Sequence, residues 1–284
     1  YPVVGLLVVV LAFTTFTRAG AWGNQFTVFE FSLRNHPTST RTHGEYARLM
    51  AQYTGNMALA YKHWTKAAEL DSKSVLELIE MEKVLASRIL FLQSEEGSSV
   101  DAALDLAAPD HFAAPMAPNI QYLEALERVV GDEVSMRLST RPVTMSNVIA
   151  LRTLRRCIYR KLPRCVRLYD RAFEWFEIAV ENPRLKDHAR TALRLGLAKL
   201  HVARGEIEKA VVHAEAAARS SPGEIHYQLE LALLYLKLDD FDAAEQAIVE
   251  AESNMNLSGF GSSDVQAVKH RLEKARQKSK SSSP

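Results

Sequence analysis

A pattern that occurs twice between Ala189 and Ser253 constrains the fold more than any other feature of this chain. The first copy holds Leu197, Ala198, Gly205, Ala210, Ala214, Ala217 and Pro222, and the second holds Leu231, Ala232, Tyr235, Asp239, Ala244, Ile248 and Ala251. Leu197 and Leu231 stand 34 positions apart, as do Ala198 and Ala232, Gly205 and Asp239, Ala210 and Ala244, and Ala217 and Ala251. A fixed period of this length points to a stack of supersecondary units, each unable to bury its apolar face alone. Within each copy, small residues recur at helical spacing on both sides of a short polar break, Ala203-Arg204-Gly205-Glu206 and then Lys237-Leu238-Asp239-Asp240. Each copy therefore predicts two antiparallel helices in close approach, the small side chains of one receiving the large side chains of the other.

Composition sets the outer limits. A chain of 284 residues with 47% hydrophobic residues has ample apolar material for a packed core. Lys and Arg total 35 against 34 for Asp and Glu, so no global field draws the chain to nucleic acid or to an anionic membrane. Tyr1 to Phe16 carries no charge and is dominated by Val, Leu and Phe up to Thr17-Arg18. At about 1.5 Å per residue it rises about 24 Å, short of the ~30 Å of a bilayer core. The chain starts at Tyr1 rather than Met and reads as a fragment or processed product, and residues 1–17 read as a truncated transmembrane helix. The alternatives are a signal-peptide remnant or a buried core helix.

Further along, Trp22, Phe26, Phe29 and Leu33 fall on one face of a helix expected to run from Trp22 to Pro37. Thr40 to Asp71 supplies a fuller repeat, with Leu49, Gly55, Ala60, Trp64, Ala67 and Leu70 at the expected spacings and Ser72 where a proline would close it. Ser74 to Leu92 is apolar nearly all round, as a helix buried between neighbours would be. Gln93 to Pro118, with Pro109, Pro115 and Pro118, predicts an irregular connection around a short helix near Val100 to Ala107. Helices are expected over Asn119–Val130, Met145–Tyr159 and Arg167–Glu181. Gly259 to Ser263 breaks the chain, and Asp264 to Lys278 predicts a polar helix covering the last apolar face of the stack.

The repeat resembles the tetratricopeptide repeat in its leucine and small pair, its turn glycine, the spaced residues of its second helix and its closing proline. The layout is an apolar span, Arg18 and Trp22, a half repeat closing on His36-Pro37, then Ala60, Trp64 and Ala67. It resembles the junction in polytopic O-mannosyltransferase-like membrane proteins that carry C-terminal tetratricopeptide repeats. The resemblance implies an all-α, helical-hairpin solenoid after the membrane helix: a half repeat plus a first repeat in 18–72, a degenerate helical-pair region in 73–183, two repeats in 184–255 and a capping helix in 262–278. It also implies a membrane location with the repeats facing the periplasm or lumen, and a protein or peptide partner, or the parent's own membrane domain. The expected function is a non-catalytic protein-interaction scaffold serving a membrane glycosyltransferase. In one alternative the parent chain is itself a lipid-linked-sugar-dependent transferase with this segment as its tail, and in another the domain is a free-standing anchored adaptor.

The resemblance places a binding groove along Glu45, Leu49, Gln52, Lys199, Val202, His226, Leu229, Leu233 and Lys237, the alternative being that the apolar members pack between helices. Separately, Arg152, Arg155, Arg156, Arg160, Lys161 and Arg164, followed by Arg167 and Arg171, form a basic cluster. Such a cluster could dock an acidic partner or the phosphates of a lipid-linked sugar, or be a solvated face balanced by Asp170, Glu174 and Glu177. Nucleic acid is not expected, because the cluster lacks an array of stacking aromatics. Cys157 and Cys165 flank Leu162-Pro163; across such a turn they come within disulfide reach, whereas on one continuous helix they would be about 12 Å apart. A bridge in an oxidising compartment, two buried thiols, or a metal site needing two further ligands are the options. The nine histidines show no zinc-protease spacing, and neither a phosphate-binding Gly-Lys loop nor a nucleophile elbow occurs, so no catalytic residue, metal or cofactor is expected.

Overall fold

In a computed structural model of the chain, residues 2–94, 119–258 and 262–282 are described, and none of them forms a strand. The chain is all-α. The elements are α1 (Pro2–Trp22), α2 (Gln25–Asn35), α3 (Thr40–Leu49) running into a π-turn (Met50–Thr54), α4 (Met57–Leu70), α5 (Leu76–Gln93) and α6 (Ile120–Thr140). They continue as α7 (Met145–Tyr159), α8 (Pro163–Val166), α9 (Tyr169–Glu181), α10 (Asp187–Arg204), α11 (Ile207–Ser220), α12 (Ile225–Lys237), α13 (Phe241–Ser258) and α14 (Ser262–Ser282). Two compact units divide the chain, Tyr1–Asp132 and Glu133–Pro284.

In the first unit, α2 packs on α3, α3 on α4 and α4 on α5. Ser39 and Asn56 supply the side-chain oxygens that accept from the first free amides of α3 and α4, at Thr42 N (3.3 Å) and Leu59 N (3.0 Å). Between them Gly55 takes the left-handed conformation, φ 67°, that a residue with a Cβ adopts only at a cost. His43 and His63 meet across the α3–α4 contact, Nδ1 to Nδ1 at 2.8 Å. His43 Nε2 donates to the Pro37 carbonyl at 3.0 Å. Burial, then the neighbouring His43 and Lys62, hold His63 down at about 4.

One sequence expectation changes in this unit, the start of the second helix. Among the described residues no helix is long and apolar enough to cross a membrane. Residues 3–16 do lie in the apolar part of α1, rising about 21 Å. Their large side chains are all exposed, from 52% at Val10 to 78% at Phe16. Trp22 ends α1 instead of opening the next helix, because Asn24 accepts from Phe26 N (2.9 Å) and starts α2 there. The short helix expected near Val100 to Ala107 and residues 259–261 of the break expected over Gly259 to Ser263 lie outside the described residues, while Ser262 and Ser263 open α14.

In the second unit, consecutive helices stack: α10 packs on α9 and α11, α11 on α12, α12 on α13 and α13 on α14. The reason is legible residue by residue. Ala172 and Ala179 of α9, Ala210 and Ala217 of α11, and Ala244 and Ala251 of α13 are all fully buried. Each pair lies two helical turns apart and so on one face, with Phe176, Ala214 or Ile248 buried between. Ala60, Trp64 and Ala67 of α4 repeat the arrangement in the first unit. Hydrogen bonding repeats with the sequence: Glu206 N donates to His201 O and Asp240 N to Tyr235 O, both at 3.0 Å. These six-to-one bonds close α10 and α12 over left-handed residues, Gly205 (φ 79°) and Asp239 (φ 57°). Upstream, Asn182 Nδ2 donates to Leu138 O and Arg141 O and Trp175 Nε1 to Ser135 Oγ, tying α9 to the end of α6.

Candidate functional site: a cationic groove in the second unit

Four helices of the second unit, α7, α10, α12 and α14, surround a groove of about 580 Å³. Leu195, Ala198 and Val202 come from α10 and Leu233, Leu234 and Leu236 from α12, giving an apolar floor. Arg155 and Tyr159 of α7, Lys199 of α10, Glu230 and Lys237 of α12 and Arg271 of α14 form the polar part of the lining. The volume lies within the ~300–1,000 Å³ common for binding clefts, and an apolar floor with a few polar groups is their usual make-up.

Lys199 and Glu230 form an ion pair that links α10 to α12. Glu230 is the only carboxylate of the lining, against four cations. Arg155 is half-buried, its Nε sealed from solvent without a hydrogen-bond acceptor among the described residues. Burial first, then Arg152 and Arg156, lower its guanidinium pKa from the ordinary value, and Glu230 opposes them. The end of α7 that presents Arg155 and Tyr159 is held by a disulfide between Cys157 and Cys165, Cα atoms 5.7 Å apart. The chain reverses between them through Lys161, left-handed at φ 55°, and Pro163, the first residue of α8.

The groove joins two sets of residues that the sequence treats separately. Lys199, Val202, Leu233 and Lys237 from the expected groove meet Arg155 from the basic cluster. The remaining residues go elsewhere. Leu49 and Leu229 are core, 1% and 7% exposed. Glu45 of α3 and Gln52 of the π-turn are both bonded to Arg48 (2.6 and 3.0 Å) in the first unit. His226 is exposed, its ring 3.8 Å from that of Tyr227. Arg152, Arg156, Arg160, Lys161 and Arg164 are exposed and do not line the groove.

Two groove residues escape the sequence reading. Glu230 carries no motif, and Arg271 reads as one basic residue among several on a solvated cap. The signal for Arg271 is positional, since it stands one residue before Leu272, which is buried against the preceding helices. Among the described residues no group of three or more His, Cys, Asp or Glu converges as a metal site would require. No protein-family model matches the chain, and no curated protein is significantly similar to it.

Proposed function

We propose that the chain is a protein-binding scaffold built as a tetratricopeptide-type solenoid, held at a membrane and facing a non-cytoplasmic compartment, where it serves a membrane glycosyltransferase. One observation carries the binding role: residues that the repeat pattern assigns to a groove, Lys199, Val202, Leu233 and Lys237, line one cleft with an apolar floor. The duplicated helix closures at Gly205 and Asp239 and the buried alanine pairs support the solenoid. The Cys157–Cys165 bridge supports an oxidising compartment, since such bonds persist outside the cytosol. The exposed apolar side chains of residues 3–16 support a membrane seat for α1, because leaving such a surface in water is unfavourable at roughly 25 cal/mol per Å².

Cross-linking and immunoprecipitation of the full chain from its native membranes tests this reading. The double variant Val202→Glu, Leu233→Glu is expected to lose a membrane glycosyltransferase that the wild type retains, with the circular dichroism spectrum unchanged. Identical partners for both forms, or no such enzyme with either, would refute it. Flotation with phospholipid vesicles checks the membrane seat: the full chain should float, and a chain lacking residues 1–22 should sediment.

A further inference from the structure

Three of the four groove cations lack an ion pair or hydrogen bond among the described residues. Lys199 is matched by Glu230, but Arg155, Lys237 and Arg271 make neither an ion pair nor a hydrogen bond with any described residue. They come from three different helices, α7, α12 and α14, so the positive charge surrounds the apolar floor instead of running along one solvated face. Lys237 and Arg271 are exposed, whereas Arg155 is half-buried with Nε already cut off from solvent. A guanidinium in that position gains most from a carboxylate, which its planar fork can bind through two parallel hydrogen bonds. Leu233 and Lys237 also stand one helical turn apart on α12, so that an apolar contact and a cation are offered in a single stripe.

We propose that the groove receives an acidic amphipathic segment of a partner protein, seating apolar side chains on Val202, Leu233 and Leu236 and carboxylates on Arg155, Lys237 and Arg271. The assignment rests on the scaffold reading above and adds the chemistry of the partner. A polypeptide is favoured over a lipid because three cations on three helices call for several separate anions above one apolar floor. A helix with Glu and Leu three and four residues apart offers them, while a lipid headgroup brings one charged group.

Fluorescence anisotropy of the full chain in a mild detergent tests the proposal, using a labelled synthetic peptide with Glu and Leu at helical spacing. Matched peptides with Lys for Glu and with Ser for Leu, and vesicles containing phosphatidylglycerol, are the comparison arms. The Glu/Leu peptide should bind, and both substituted peptides should bind at least about ten-fold more weakly. Arg155→Gln should weaken binding by about ten-fold, and Arg271→Glu, on the exposed side of α14 where folding is not at stake, by a few-fold. Raised salt should weaken binding further. Equal binding of acidic and basic peptides, or affinity untouched by both Arg155→Gln and Arg271→Glu, would overturn the proposal. So would vesicle binding lost in those two variants without any peptide binding, which would give the groove to lipid. Should Val202→Glu, Leu233→Glu release the native partner while the acidic peptide fails to bind, the scaffold stands and only the acidic assignment falls. Should the peptide bind while that variant keeps every native partner, the reverse holds.

Discussion

The hairpins α10–α11 and α12–α13 are built on one sequence frame and both line the groove, yet α10 meets its predecessor through a close-packed glycine where α12 carries a charge. Their shared positions behave alike: Ala210 and Ala244, and Ala217 and Ala251, are all fully buried. The difference lies at positions 196 and 230, again 34 apart. Gly196 on α10 lies so close to α9 that a Cβ there would come within 2.2 Å of Phe176 Cε1. Its counterpart on α12 is Glu230, which lines the groove and pairs with Lys199. A repeat thus fixes where helices run, while one of its positions holds a close-packed glycine in one copy and a charged groove residue in the next.

The strongest way to break this comparison is Gly196→Ala. Phe176 is completely buried and has little room to move, so overpacking is expected to cost about 1–3 kcal/mol, read as a lower denaturant midpoint. Glu230→Ala changes the same repeat position, removes only a partly exposed ion pair, and should cost less than about 0.5 kcal/mol. Equal losses from the two substitutions would show that the positions are not functionally different.

The turns give an intermediate effect. Gly205→Asp makes the first hairpin resemble the second and is expected to cost about 1 kcal/mol, whereas Asp239→Gly should gain a few tenths, both by thermal melting.

A smaller effect separates the hairpins by pH. His201 and His213 stack in the first, centroids 5.2 Å apart, where the second has Tyr235 and Ala247. Burial, then His201 and Arg194, lower the pKa of His213 below its ordinary value. The unfolded chain therefore takes up a proton first as pH falls below about 6.5, so the stabilisation is full above that value and declines beneath it. His213 is only partly buried, so solvent screening limits the loss to less than about 1 kcal/mol at pH 5. Melting at pH 7 and pH 5 should show a smaller difference in His213→Gln, while Ala247 offers nothing to titrate. His63 in the first unit, held near 4, acts in the same direction.

Much of this was legible because it depends on periodicity. The alanine pairs, the turns at Gly55 and Gly205, the extent of α7 and the close approach of Cys157 and Cys165 all follow from local spacing. What was hidden depends on contacts between elements. Gly131 and Asp132 suggest an end to a helix, yet α6 continues to Thr140 because Val134 and Leu138 are fully buried and outweigh the ~1 kcal/mol cost of a helical glycine. The start of the helix expected from Trp22 was hidden in a cap: Asn24 sets the start of α2 and leaves Trp22 with α1. The groove was half legible for the same reason. Val202 and Leu233 follow from the repeat register, but Arg155 and Arg271 join them only when helices distant in sequence come together. Leu49 and Leu229 show the converse, since a register cannot tell a lining leucine from one covered by its neighbour.

Cys157 lies midway between Arg155 and Tyr159, so the sulfur bridge anchors the turn of helix from which both reach the groove. Cleaving that bridge is expected to loosen the turn after Arg155, while the buried alanine pairs of α9, α11 and α13 lie outside it. On the groove reading proposed above, reductant is expected to weaken capture of the acidic peptide while the circular dichroism spectrum stays unchanged, which ties binding to the redox surroundings.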